Sequence, residues 1–426
     1  MTMFGLPESD VATLTRAVAG AELDRNGIRE RFARAAWTGI AEPGDGVAGT
    51  LVGALGADAA LDGFVSGWNA PRFAGELADA GEDGADAAAE LSELDAPGPE
   101  RVALERSIAR ALERWRPRLS GSQSLTALRQ ASRYGARLLT PDDEGWPQGV
   151  NDLQHHAPIA LWCRGISDAL AALDSSIALV GARAVTGYGE HVTMEASAGL
   201  VDRGYTIVSG AAYGVDGMAH RAALASDGLT VAFLAGGVDR FYPAGHDALL
   251  GQIVERGAVL SELPCGEPPT KWRFLQRNRL ISAASLATVV LEAGWRSGSL
   301  NTAGHAGALG RPLGAVPGPV TSPASAGCHR LIREFDAVLV TNADEMAELA
   351  PLVPASTPAE HTPDRARQAS AEVRVLDAVS SRSPRDTANI AARAGVSVAV
   401  AQSILGPLEL DGVVTERDRG WVKRAR

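Results

Sequence analysis

Four positive side chains, Lys271, Arg273, Arg277 and Arg279, fall within the segment TKWRFLQRNRL (270–280), interleaved with Trp272, Phe274 and Asn278. Ammonium and guanidinium groups at that density track phosphates, and an aromatic ring between them stacks on an unpaired base. The bland alternative is a solvated basic helix face with its aromatics in the core, and Phe274, close to the helical spacing that ends at Ile281, is the core candidate. A second segment, VGARAVTGYGE (180–190), joins Gly181, which allows a close turn, to Arg183, whose planar fork matches phosphate oxygens. It is not GxGxxG, so the dinucleotide fingerprint is absent. A plain strand-to-helix turn with a solvated Arg183 is the competing reading. In SGAAYGVDGMAH (209–220), Ser209, Gly210 and Gly214 permit a nest of backbone amides. Asp216 is placed to cap the helix that carries His220, and an Asp216–His220 pair that orders the loop is favoured over acid–base chemistry. A fourth segment, EAGWRSGSLNTAGHAG (292–307), offers Ser297, Gly298 and Ser299 at a helix start, where free amides suit an anion. No Ser or Cys nucleophile stands beside a base at supporting spacing, so no catalytic residue is assigned.

These segments need elements to aim them. Short apolar runs, many of them β-branched, begin at 177 (IALVG), 205 (YTIVSG), 229 (TVAFLAG), 258 (AVLSE), 286 (LATVVLEA), 312 (PLGAV) and 337 (AVLV), alternating with helical stretches. Most are apolar on both faces, as strands covered by helices on both sides must be. The expected fold is therefore α/β: an extended Rossmann-like, doubly wound, mostly parallel sheet, with an N-terminal helical domain and a C-terminal winged helix. In such a sheet, ligands bind outside the carboxyl ends of the strands, where all the phosphate-ready turns fall. A polyanion explains that repetition better than one mononucleotide.

The expected domains are a helical accessory domain over 1–118, an α/β domain with its lead-in over 119–350, a Pro-, Ser- and Thr-rich linker over 351–368, and a winged helix over 369–426. Within the first, an acidic, Gly-rich stretch (GELADAGEDGADAAAELSELDAPG) is expected to be partly mobile. In the last, AEVRVLDAVS, DTANIAARAG and VAVAQSILGPLELDG read as three helices, with Asp386 as an N-cap, Gly395 in the turn and Pro407 kinking or interrupting the third. VVTERDRGWVKR reads as the wing; Arg417 and Arg419 alternate there with Glu416 and Asp418, so its charge nearly cancels.

Composition limits the alternatives. The net charge is −11, Lys271 and Lys423 are the only lysines, and the three cysteines form no CxxC. A protein coated in basic surface is excluded, although a local groove is not. Neither a disulfide scaffold nor a structural zinc is expected, and no metal or cofactor is assigned. No apolar run reaches the ~18 residues of a membrane helix, and no basic segment followed by an apolar one opens the chain, so a cytosolic protein with no membrane partner is expected.

The motifs VGAR at 180, SGAAYGVDGMAH at 209, LAGGVDRFYP at 234, SELP at 261, FLQRNRLIS at 274, EAGWRSGSLNTAGHA at 292, GRPLGAVPG at 310 and GCHRLIR at 327 occur in one order and spacing. In this the sequence resembles the DprA/Smf (DNA-processing A) family, over about 130–345 and more weakly over the winged helix. The resemblance implies a non-catalytic protein that binds single-stranded DNA without base specificity. It further implies a homodimer through the Rossmann-like domain and a partnership with the RecA recombinase, which it helps to load in transformation or recombination. It implies phosphate contact by Arg183, with Gly181, Ser209, Gly210, Gly214, Lys271, Arg273, Arg277, Asn278, Arg279, Ser297 and Gly298 lining or supporting one groove. Where many relatives carry a basic residue after YP, this chain reads YPAGHDALL with Asp247, and no helix-hairpin-helix features are recognisable near the N-terminus. Two readings compete. One is a nucleoside-monophosphate N-glycosidic hydrolase, although EAGWRSGSLNTA lacks the PGGxGT loop and following Glu of such enzymes. The other is a ligand-sensing winged-helix regulator.

Overall fold

The computed structural model describes residues 2–81, 100–352, 364–381, 383–410, 412–417 and 420–424. Their contacts group into two compact units. The first comprises 1–128, 154–159 and 368–426, and the second 129–153 and 160–367.

The first unit opens with a small antiparallel pair, β1 (Thr2–Met3) and β2 (Leu6–Pro7). Helices α1 (Glu8–Ala19), α2 (Arg25–Ile40), α3 (Gly46–Leu55), α4 (Ala57–Val65), α5 (Ala70–Asp79) and α6 (Glu100–Trp115) follow. Asp24, Asp45 and Asn69 each accept a backbone amide of the helix they precede, satisfying donors that a first turn leaves open. Trp37 and Trp115, both fully buried, meet edge to face at 5.1 Å, with Phe64 against each. Most of the acidic stretch read as partly mobile lies outside the described residues.

Helix α7 (Gly121–Arg133) leads into the second unit. Its sheet contains β3 (Arg137–Leu139), β4 (Leu161–Gly165), β5 (Ser176–Val180), β6 (Thr206–Ser209), β7 (Thr230–Phe233), β8 (Ala258–Ser261), β9 (Ala287–Val290), β10 (Leu313–Ala315) and β11 (Val338–Leu339). They lie in the order β11-β10-β9-β5-β6-β7-β8-β4-β3. The seven strands read from the sequence are the parallel ones, and the 119–176 lead-in adds the antiparallel β4 and β3 beyond β8. The intervening helices are α8 (Ser167–Ala171), α9 (Gly187–Asp202), α10 (Val215–Ala225), α11 (Asp247–Arg256), α12 (Lys271–Ala283), α13 (Ser299–Ala308), α14 (Ala326–Glu334) and α15 (Ala343–Glu348). Ile177, Leu179, Ile207 and Val289 share one core with Leu200, Ala219 and Met346 of α9, α10 and α15. The alternate residues Ala178 and Val180 are also buried, so both faces of the strand are covered.

The winged helix consists of α16 (Asp364–Ala378), α17 (Thr387–Ala394), α18 (Val398–Leu410) and the antiparallel pair β12 (Val414–Arg417) and β13 (Gly420–Lys423). Asp386 caps α17 through the Asn389 amide, and Gly395 ends it in the left-handed region. Helix α18 runs through Pro407. Most of the 351–368 linker, and Asp418 and Arg419 of the wing, lie outside the described residues. Among those described, no single helix is long and apolar enough to cross a membrane.

Candidate nucleic-acid interface

The turn after β5 is built on the turn after β9. The Ala182 amide donates to the Glu292 carbonyl (2.7 Å), and the amide and hydroxyl of Thr186 donate to the Glu292 carboxylate (2.8 and 2.6 Å). Thr186 Oγ1 accepts in turn from the Gly189 amide, so one side chain caps α9 and ties it to β9. Gly181 sits where a Cβ would strike Val215 and the Glu292 carbonyl. Past these anchors Arg183 reaches into solvent, its guanidinium 5.2 Å from the centre of the Phe274 ring.

The turn after β6 has no room for a side chain at two places. Gly214 has φ +79°, and a Cβ there would lie 2.1 Å from the Ala182 carbonyl oxygen, so the β5 and β6 turns meet backbone to backbone. At Gly210 a Cβ would occupy the space of the Arg277 guanidinium. Arg277 is buried, donates to the Phe233 carbonyl at the end of β7 (2.6 Å), and also lies under Phe274 (5.9 Å). Burial pushes its pKa down to about 10, opposed by the Asp216 carboxylate, which leaves it a cation at neutral pH. Burial raises the pKa of Asp216, the Arg277 charge opposes that rise, and the Ala212 amide donates to the carboxyl (3.4 Å).

Asp216 and His220 do not form the expected pair, and residue 214 rather than 216 occupies the N-cap. His220 instead meets Thr230 Oγ1 at 2.6 Å from Nδ1. The single Thr230 hydroxyl proton goes to the Ile207 carbonyl, so Nδ1 carries the proton and Nε2 is bare. Full burial lowers the His220 pKa to about 3, with Arg277 and His246 adding to the effect.

The basic segment is arranged differently from either sequence reading. Of its four positive side chains only Lys271 is exposed. Arg273 donates to Glu267 and to the Pro268 carbonyl (2.7 and 3.0 Å), and Arg279 forms a two-oxygen bridge to Glu262 (2.6 and 2.7 Å) with both partners buried. Arg273 and Arg279 therefore position α12 and do not face a ligand. Phe274, expected in the core, is half-buried between Arg183 and the exposed Tyr242, whose ring lies 5.5 Å away. Acidic partners draw the arginines inward, and the displaced ring comes to the surface.

The other expected residues divide in the same way. The Ser209 hydroxyl is buried and donates to the Leu179 carbonyl (2.6 Å), bridging two strands rather than facing outward. Ser297 Oγ and Ser299 Oγ meet at 2.8 Å, while Gly298 is exposed with open space where a Cβ would be. Asn278 Nδ2 donates to Asn301 Oδ1 (2.9 Å), linking α12 to α13 beside that turn. Arg183, Gly210, Gly214, Arg277 and Phe274 thus form one cluster, with Asn278, Ser297 and Gly298 at a neighbouring turn. Sequence reasoning passed over Tyr213 and Tyr242, exposed aromatics inside the Gly-rich turns, and the Thr186–Glu292 lock. A tyrosine flanked by Ala212 and Gly214, with no apolar period to bury it, was the available signal for Tyr213. Among the described residues, no three His, Cys, Asp or Glu side chains gather as a metal site.

Sheet order, turns and winged helix define a doubly wound α/β protein whose strand-end turns carry exposed cations, Arg183 among them, and several exposed rings. A family model described as DNA recombination-mediator protein A matches residues 137–351, and a DprA winged-helix model matches 354–418. A putative DNA processing protein DprA of Mycobacterium tuberculosis is 45% identical over 301 residues, covering 68% of this chain and 77% of that protein. Protein Smf of Escherichia coli K12 is 36% identical over 317 residues, 73% of this chain and 82% of its own length. The crystal structure of DNA processing protein A from Streptococcus pneumoniae superposes with a TM-score of 0.56 at 26% identity, covering 76% of this chain and 99% of that one. The chain belongs to the DprA/Smf family.

Two outcomes test this geometry. Arg279→Ala removes the cation that neutralises buried Glu262 and is expected to lower stability by about 3–5 kcal/mol in urea unfolding, whereas an Arg279→Met, Glu262→Leu double variant recovers most of it. His220 is neutral in the folded chain down to about pH 3, whereas the unfolded chain takes up that proton near 6.5. Its contribution is complete above 6.5 and is lost progressively as pH falls toward 3. The unfolding midpoint should decline from about pH 7 to about pH 5, with a shallower decline in His220→Gln; equal slopes would assign the dependence to other groups.

Proposed function

We propose that this protein binds single-stranded DNA, without base preference, across the carboxyl ends of the parallel strands. The observation that carries the reading is the exposed Arg183 guanidinium held over the Phe274 ring, with Tyr242 beside that ring. A cation fixed on an aromatic face meets a phosphate while neighbouring rings accept an unpaired base, and neither contact distinguishes one base from another. Gly298 and the backbone around Gly214 supply amide-rich turns of the kind that cradle phosphates. Lys271, at the start of α12 three residues from Phe274, adds a second exposed cation. Arg277 and Asp216 work beneath the surface, holding the turns to their shape.

The family description and the relatives' names, recombination mediator and DNA processing protein, agree with this chemistry. We further propose that the protein acts as a homodimer through its α/β domain and delivers the bound strand to a RecA-type recombinase. No cofactor is required for any of these steps. The winged helix is assigned a structural or partner-binding role at least as readily as duplex reading, since Glu416 stands beside Arg417 in its described wing.

Fluorescence anisotropy with a labelled oligo-dT at two salt concentrations tests the binding step. Wild type should bind more weakly as salt rises, because each phosphate contact releases counterions. Arg183→Ala should lose about tenfold in affinity and reduce the salt slope by about one unit. A well-folded wild type that binds nothing, or that binds a hairpin duplex as tightly as the single strand, would defeat the reading.

A further inference from the structure

Resting on the single-strand reading, we infer that the strand's path does not end at Arg183 and Phe274. It continues along the sheet edge as a row of aromatic stacking positions that closes on Trp295 and Arg330. Strands β9, β5, β6 and β7 are consecutive neighbours in the sheet. Before or within the first turn of the helix that follows each, the chain carries one exposed aromatic: Trp295 after β9, Tyr188 at the start of α9 after β5, Tyr213 after β6 and Tyr242 after β7. Aromatic residues make up only 5% of the chain. Among the described residues only Tyr134 and Phe335 are exposed aromatics outside this row. Large rings usually go to cores, so four left open at one edge, one per neighbouring strand, is an arrangement that burial does not explain.

Each ring is braced. The Tyr188 hydroxyl donates to the Pro317 carbonyl (2.5 Å). Tyr213 meets the His246 ring edge-on at 4.9 Å, and Tyr242 lies 5.5 Å from Phe274. At the far end the Arg330 guanidinium sits 5.0 Å from the Trp295 ring and 5.2 Å from Phe335, with Glu334 accepting from its Nε at 2.7 Å. Rings held this way lose little freedom when a base stacks on them. Neighbouring strands are about 4.8 Å apart, so the four connections are rooted over about 14 Å, a span for several nucleotides rather than one. Arg183 stands near the middle of the row and Arg330 at its end, which places a phosphate-matching fork at two points along it. A ladder of flat faces with cations between them suits an unpaired polynucleotide. A protein partner would call for a continuous apolar patch, and here Gly-rich turns interrupt one.

The experiment compares oligo-dT of about 5 and about 15 nucleotides, lengths within the range single-strand modules cover. Wild type should bind the longer strand more tightly per site. A Trp295→Ala, Arg330→Ala variant, checked for a native circular-dichroism spectrum, should lose about tenfold or more on the long strand and little on the short one. Trp295→Phe should restore most of the loss, because it keeps a stacking face, whereas Trp295→Leu should not. Wild-type affinity for the long strand in Trp295→Ala, or equal rescue by Leu, overturns the extended path and leaves the Arg183 site standing. Failure of wild type to bind either oligomer overturns the underlying single-strand reading and the extension with it.

Discussion

The strand-end turns depend on one buried cation. Arg277 brings its guanidinium under the β6 turn, against a glycine that any side chain would expel, and donates to the last carbonyl of β7. A charge taken out of water to that degree needs compensation, and it is supplied by a carbonyl dipole and by the nearby Asp216 carboxyl, itself fastened to the turn. Three pieces of chain are thereby fixed to α12 at once: the end of β7, the turn at Gly210 and the first residues of α10. Phe274, one helical turn before Arg277, is carried to the surface by the same insertion, and Arg183 comes to rest on it. A second lock, Thr186 on Glu292, secures the β5 turn to the β9 turn. Both donor groups of Thr186 are spent on that carboxylate, which gives the acid of the EAGWRSG segment a holding role.

The fold was legible because burial on both faces leaves a plain record: seven short apolar runs became seven parallel strands, six of them buried and the last, β11, an exposed edge strand. The two antiparallel strands were not legible. RLL at 137 begins with Arg137 and LWCRG at 161 carries Arg164, so neither is a clean apolar run, and they become strands because the edge of β8 needs a partner. In the winged helix, local chemistry carried the boundaries, with Asp386 and Gly395 at the ends of α17. Pro407 does not end the third helix, which continues through it to Leu410.

The site was harder to read for a physical reason. A cluster of arginines in sequence says nothing about which carboxylates will reach it in space. Glu262 and Glu267 lie before the helix, in a segment that looked like connecting loop, and they claim Arg279 and Arg273 respectively. Once two of the three arginines are neutralised internally and the third is walled in by Gly210, the helix presents Lys271 and a half-open Phe274 in their place. The Gly-rich turns were recognisable because close backbone approach admits so few residues. Of their tyrosines only Tyr213, set between Ala212 and Gly214 with no apolar period to bury it, carried a readable signal.

The burial of these arginines also bears on how an acidic chain meets a polyanion. With a net charge of −11, long-range attraction cannot gather a nucleic acid to this surface, and beyond about 8 Å at physiological salt the question scarcely arises. On the proposed reading, what acts at the edge is short in range: guanidinium groups held on rings at Arg183 and Arg330, backbone amides at turns too tight for side chains, and flat aromatic faces. Such contacts are insensitive to the sign of the distant surface. They also favour the unpaired strand over the duplex, since only an unpaired base exposes the face that a fixed ring can cover. Under the proposed reading, selectivity for single strands would arise from braced rings on the sheet edge, and that bracing traces back through Phe274 to the buried guanidinium beneath it.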